Sequence, residues 1–210
     1  PKKTRKVLHG IDHKTFEPIP SIKRKKNQLI TTASADVPLK GLIYLIRAYS
    51  ELLNEFPDLS LVVIGKLRDG PTSNELDKKD IKNKVKFISD LTSREIAELY
   101  AESTIAISPS VYEGFGFPAG EAMSCGIPLI STNGGSLPEV VGDSGIIVPH
   151  SNPNELRKAI KELLLSPEKR KKLGEKGRKR VLEKFTWKRA AKELVEVYRE
   201  AISNADNRSR

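Results

Sequence analysis

From residue 28 onward, apolar and polar positions alternate in two rhythms. Short apolar runs are each followed by a longer stretch whose apolar residues recur every three or four positions, the spacing of a half-buried helix. Gln28–Ala33 (QLITTA) predicts a strand, and Leu42, Ile43, Leu45, Ile46, Tyr49, Leu52, Leu53 and Phe56 predict a helix within Lys40–Phe56. Leu59–Ile64 (LSLVVI) is a second strand closed by Gly65, and residues 66–84 are polar and loop-like, with room for one short helix. Val85–Ile88 is a third strand. Thr92 then offers an N-cap, with Glu95 completing a capping box for a helix ending near Glu102. Thr104–Ser108 is a fourth strand. Pro118 suits the first residue of a helix that Gly126 ends, before strands at Ile127–Ser131 and Gly145–Val148.

Beyond Pro149 only helical periods remain: Asn152–Leu165, Pro167–Lys184 and Thr186–Ser203, the last with a stripe of Ala190, Leu194, Val197 and Ala201. Strands alternating with helices imply right-handed crossovers and a parallel sheet. The runs VVI, TIAI and PLI are continuously apolar, as strands covered on both faces require. The expected fold is α/β: a single Rossmann-like, doubly wound parallel sheet of about six strands with a helical C-terminal cap. Residues 1–27 show no sustained period and read as a connector, 28–204 as the domain, and 205–210 as a frayed tail. Ligands of such sheets bind beyond the carboxyl ends of the strands.

Composition narrows the class. A single cysteine, Cys125, precludes an internal disulfide and a Cys-rich zinc module and points to a reducing, cytoplasmic setting. The net charge of +10 is uneven. Residues 1–26 carry nine Lys/Arg against Asp12 and Glu17, and residues 166–189 carry eleven against Glu168, Glu175 and Glu183, while the remainder is acidic. Two readings follow: solvated faces, or contact with an anionic surface such as a membrane. Aromatic residues are 6% and do not interleave with the basic runs, which disfavours stacking on single-stranded nucleic acid.

The chemistry concentrates in Ser108–Thr132 (SPSVYEGFGFPAGEAMSCGIPLIST). Glu113 falls in the loop at the carboxyl end of a strand. Gly114 and Gly116 allow close backbone approach, and the N–H groups of Phe115, Gly116 and Phe117 lie at the positive end of a helix, where phosphate binds well. Glu121 falls one turn into that helix, where a carboxylate can accept hydrogen bonds from a ribose diol. The same pattern also suits a tight strand-to-helix turn with two solvated glutamates. His9 and His13 flank Gly10 without a nearby third ligand, Cys125 reads as core, His150 as an exposed loop residue, and Asp36 as a turn residue or a hydrogen-bond acceptor.

Two glutamates separated by seven residues, within EGFGFPAGEAMSCGIPLIST, resemble the signature of the retaining GT-B glycosyltransferases of family 4, the glycogen-synthase-like and mannosyltransferase-like group. HGIDHKTFEP resembles that family's interdomain stretch, with His9 in place of the usual Asn. PLKGLIYLIRAY resembles its Lys-Gly donor loop, VKFISDLTSREIAELYAES its base-pocket loop and helix, NGGSLPEVVGDSGIIV the stretch after the donor site, and FTWKRAA the closing helix.

The resemblance implies the C-terminal, donor-binding half of a hexosyltransferase that uses a UDP-, GDP- or ADP-sugar without an obligatory metal or other cofactor. It implies an N-terminal acceptor domain outside this sequence, and little activity for this part alone. By position, Glu113 would hold donor-sugar hydroxyls and developing charge, and Glu121 the ribose. Phe115, Gly116 and Phe117 would bind phosphate or sugar oxygens, Lys40 would neutralise the leaving diphosphate, and Leu91 would lie against the base. The family's second diphosphate cation, an Arg five or six residues before the lysine, is replaced by Ala35 and Ser34, leaving Lys66 or Arg68 as substitutes. The alternative is a basic nucleotide-binding or anionic-surface-binding module without transferase activity.

Overall fold

The computed structural model describes residues 4–33 and 37–206. Ser34, Ala35 and Asp36, and with them the site of the missing Arg, lie outside the described residues. Six strands, β1 (Gln28–Thr32), β2 (Ser60–Ile64), β3 (Val85–Ile88), β4 (Ile105–Ser108), β5 (Leu129–Thr132) and β6 (Ile146–Val148), form one parallel sheet in the order β3-β2-β1-β4-β5-β6. The helices are α1 (Leu42–Leu52), α2 (Pro71–Lys78), α3 (Ser93–Glu102), α4 (Phe117–Ser124), α5 (Leu137–Val141), α6 (Pro153–Leu165), α7 (Pro167–Lys184) and α8 (Trp187–Asp206). The order reverses between β1 and β4, so the chain winds outward in both directions and leaves a crevice at that point of the carboxyl edge.

Alternation along each strand divides the core into two layers. Leu29, Leu61, Val63, Ile105, Ile107 and Ile130 face one side and pack with α1 and α6, while Ile30, Val62, Ile64, Ala106 and Leu129 face the other with α3, α4 and α7. Both faces are covered, which accounts for the continuous apolar runs. The capping box forms as the spacing predicts: Thr92 Oγ1 accepts from Glu95 N at 3.3 Å, and Thr92 N donates to the Glu95 carboxylate at 2.8 Å.

The structure refines three expectations. The 66–84 region contains α2, and α5 was not anticipated because five residues are too few to show a period. The segment before β1 has no helix or named strand, yet it is anchored: Ile11 and Phe16 are buried against α4, Val181 and Phe185, and Ile11 bridges to Thr186. Finally, much of the positive charge of 166–189 is structural. Arg178 Nη1 donates to the carbonyls of His13, Phe16 and Ser124 at 2.9–3.0 Å, tying the segment before β1, α4 and α7 together. Arg180 donates to Val140 O and Glu139 O, while Lys169 and Lys176 pair with Glu162 and Asp143.

In α8, Ala190 is buried, but Leu194 (41% exposed), Val195, Tyr198 and Ile202 (63% exposed) stand open to solvent. Among the described residues no helix is long and apolar enough to cross a membrane.

Candidate functional site

Three loops meet at the carboxyl edge where the strand order reverses. The loop after β1 ends in a 3-10 turn, Pro38–Lys40, so Lys40 precedes α1 rather than starting it. Gly41 closes this turn in the left-handed region (φ 64°), and a Cβ there would stand 2.0 Å from Pro109 O. The two loops are laced by Val111 N donating to Leu39 O at 2.8 Å.

From the other side comes the loop after β5. Ser136 donates to the Glu113 carbonyl through both N (3.0 Å) and Oγ (3.1 Å). This clamp needs Gly135, whose φ is 59° and whose Cβ would lie 2.2 Å from Glu113 O. Gly135→Ala therefore forces the Glu113 loop to move. We expect a loss of more than about 1 kcal/mol in a denaturant titration, with the loop amides of 111–116 shifted in the NMR spectrum.

Held this way, the Glu113 carboxylate accepts from Lys40 Nζ at 2.6 Å and Ser110 Oγ at 2.9 Å. The side chains of Glu113 and Lys40 are 12% and 25% exposed, so the pair is largely shielded from solvent yet reachable. The pairing joins two residues 73 positions apart that the sequence nominated separately. Ser110 escaped notice, although its place three residues before Glu113 is a local spacing that could have drawn attention. It is itself buried and held through its carbonyl by the Thr132 hydroxyl.

Helix α4 begins one residue before the predicted Pro118, with Gly116 as N-cap at φ 94°. A Cβ there would meet Leu137 at 2.8 Å, so glycine is structurally required at 116; at 114 a Cβ would meet nothing within 4 Å. Gly114 thus borders open space rather than a tight turn. The N–H groups of Phe115, Gly116 and Phe117 take no partner from the described residues and stand at the positive end of α4.

The Phe115 and Phe117 rings pack on each other at 4.9 Å and on His9 at 5.2 and 5.7 Å, with Trp187 6.3 Å from His9. His9 is therefore part of an aromatic cluster that seats the segment before β1 against this loop.

Glu121 lies one turn further along α4, half-buried, and its carboxylate takes no hydrogen bond from the described residues. Burial pushes it up to about 7. Its charge also raises Tyr100 and Cys125, whose larger shifts come from their own burial. Tyr100 bonds Thr32 Oγ1 at 3.1 Å and Pro118 O at 3.3 Å, and lines a small recess together with Glu113.

Leu91 lines a hollow of about 370 Å³ over the ends of β1, β2 and β3, together with Thr32, Gly65, Lys66, Ser89 and Ile96. Lys66, one of the two substitute cations, pairs with Asp90 at 2.9 Å on the rim, and Arg68 is exposed. His13 lies under Arg178 through its carbonyl, His150 is exposed, and Cys125 is buried at the end of α4.

The sequence model of the family Glycosyl transferases group 1 matches residues 14–180. The chain belongs to the group 1 glycosyl transferases. Among its group 1 relatives, the MMP alpha-(1->4)-mannosyltransferase of Mycolicibacterium hassiacum is 39% identical over 207 residues, spanning 97% of this chain and 50% of that protein. The D-inositol 3-phosphate glycosyltransferase of Streptomyces bingchenggensis is 33% identical over 177 residues, 79% of this chain and 39% of that protein. The chain thus spans about half the length of the curated relatives it matches.

Of solved structures, sucrose-phosphate synthase from Thermosynechococcus elongatus superposes with a TM-score of 0.81 at 25% identity, covering 96% of this chain and 53% of that one. The C-terminal domain of a group 1 family protein from Francisella tularensis gives 0.74 at 25% identity, covering 85% of this chain and all of that one. The fold is therefore that of the C-terminal half of GT-B glycosyltransferases.

Proposed function

We propose that this chain is the donor-binding half of a retaining hexosyltransferase of family 4, taking a UDP-, GDP- or ADP-sugar without a metal or other cofactor. The observation that carries the reading is the Lys40–Glu113 pair at the carboxyl edge of the sheet, in the loop that leads directly into the N-terminus of α4, the helix that also carries Glu121, a half-buried carboxylate without a hydrogen bond from the described residues. The α4 terminus and Lys40 suit a diphosphate, Glu121 a ribose diol, and the hollow around Leu91 a base. On this reading Glu113 serves the sugar and the charge that develops at its anomeric carbon as the diphosphate leaves.

In the resting site Lys40 pairs with Glu113, and donor binding exchanges that pair: Lys40 turns to the diphosphate and Glu113 to the sugar. The pairing holds both side chains oriented at the crevice. Support from relatives is of the same kind, since HepE of Anabaena, with a TM-score of 0.83 at 20% identity, was solved in complex with UDP.

The open face of α8, with Leu194, Val195, Tyr198 and Ile202, is read as the seat of the N-terminal acceptor domain that the family resemblance implies. The setting is cytoplasmic on this reading.

Titration of the isotope-labelled chain with UDP, GDP and ADP tests the site. Saturable shifts at the amides of Glu113, Gly116 and Phe117 are expected for at least one nucleotide, and the preferred one names the donor base. Absence of any saturable shift with all three overturns the reading.

A further inference from the structure

A second cavity lies away from this site. It is a groove of about 840 Å³ between the segment Pro18–Arg24 and one face of α7, beginning at Gly126, which joins α4 to β5 at the sheet edge opposite Glu113. Its apolar surface comes from Pro18, Pro167 and Leu182, the last 44% exposed. Its charged lining is unequal: Arg24, Arg170, Lys171, Arg178 and Lys179 against Glu175 and Glu183.

The three arginines are fixed rather than loose. Each uses one terminal nitrogen on backbone carbonyls: Arg24 on Gly126 (3.0 Å), Arg170 on Leu163 and Leu164 (2.7 Å to the latter), and Arg178 on His13, Phe16 and Ser124. None of the three, nor Lys171, reaches a carboxylate within 4.0 Å among the described residues; Lys179 approaches Glu183 at 3.9 Å. Burial, and for Arg24 the charge of Arg170, hold these guanidiniums below their ordinary range, while Glu17 acts in the opposite direction on Arg178. Guanidiniums held in place by carbonyls, facing like charge and without a carboxylate partner are poorly compensated. An oxyanion relieves that state through charge-assisted, forked hydrogen bonds.

We infer that this groove is a second ligand site, for a soluble phosphate ester whose phosphate sits between Arg24 and Arg170 and whose organic body lies along Pro18, Pro167 and Leu182. The concave shape favours a discrete molecule over a flat anionic membrane: the guanidiniums line the groove, and its volume falls in the range of small-molecule pockets. The site is independent of the donor reading, because it shares no residue with it.

The test is NMR titration of the 210-residue chain with phenyl phosphate, glycerol 3-phosphate, inorganic phosphate, and phosphatidylglycerol vesicles. The expected result is saturable shifts of the Gly126 and Gly174 amides with both esters, those of Glu113 and Gly116 staying still, and phenyl phosphate binding more tightly than inorganic phosphate. Arg24→Gln and Lys171→Gln each weaken phenyl phosphate about tenfold, as loss of a charge-assisted bond predicts. Lys172→Gln, on α7 but outside the groove, leaves it unchanged. Should Arg24→Gln disturb the fold through Gly126, Lys171→Gln alone carries the comparison. Four outcomes overturn the inference: no shift at about 10 mM ester; inorganic phosphate matching phenyl phosphate; equal weakening by Lys172→Gln; or binding to vesicles alone.

Discussion

Replacing Glu113 by Gln in the full-length protein is expected to lower kcat by roughly 10²–10³-fold while changing KM for the nucleotide-sugar little. The carboxylate is 12% exposed and clamped by Lys40 and Ser110, so its charge acts in a poorly hydrated place. Gln keeps the shape and one acceptor oxygen but removes that charge. Nucleotide binding rests on Glu121, the α4 terminus and the Leu91 hollow, which the substitution does not touch, and on Lys40, which keeps its charge and loses only a competing partner. The fold should lose about 1–3 kcal/mol, because the Lys40 ammonium then faces an amide oxygen instead of a carboxylate at a largely shielded position. Steady-state kinetics beside thermal unfolding separate the two effects. Unchanged kcat with an intact fold removes Glu113 from the chemistry.

Glu121→Gln is expected to act in opposite directions on stability and on binding. The ordinary glutamate value is 4.5 and burial raises it to about 7, so the folded state prefers the protonated form. The sign follows. Below pH 4.5 the group is neutral folded or unfolded and the fold bears no penalty. As pH rises toward 7 the unfolded chain releases a proton that the folded one retains, and stability falls, by up to about 3 kcal/mol above pH 7 at ~1.4 kcal/mol per unit. Gln removes that slope. The variant should therefore unfold at higher denaturant than the parent at pH 8 and at the same denaturant near pH 4. Nucleotide affinity should nonetheless drop by ten- to a hundredfold, roughly one to two charge-assisted hydrogen bonds. In the parent, nucleotide binding should itself weaken as pH falls through about 7, since the diol donates best to the ionised carboxylate. Stability curves that coincide at pH 8 would contradict the buried placement of Glu121.

The parts of this architecture that rest on local rules were legible in the sequence. The Thr92–Glu95 capping box, the continuous apolar runs of β2, β4 and β5, and the Pro118–Gly126 bracket around α4 each depend on neighbours a few residues away. The resemblance added the pairing of Glu113 with Glu121 and the part of Lys40. What escaped notice depends on adjacency in space. Lys40 meets Glu113 because β1 and β4 are neighbours across the point where the strand order reverses, which no spacing along the chain encodes. Ile11 and Phe16 sit in an aperiodic, basic segment, so no stripe announced that they are buried. The positive run of 166–189 looked like a solvated or anion-seeking face. Its arginines act largely as caps on carbonyls of α4, α5 and the connector, because those chain ends converge on α7. His9, plain in sequence, gains its place from two phenylalanines and a tryptophan in distant segments.

The central claim is that one helix tip and two carboxylates grip a sugar diphosphate. A crystal structure of this chain with its preferred nucleotide-sugar tests it most directly. The account predicts diphosphate oxygens within hydrogen-bond distance of the Phe115–Phe117 N–H groups, ribose hydroxyls on Glu121, and Lys40 drawn from Glu113 toward phosphate. A nucleotide seated elsewhere, or one that leaves Glu121 untouched and Lys40 still paired with Glu113, would contradict it.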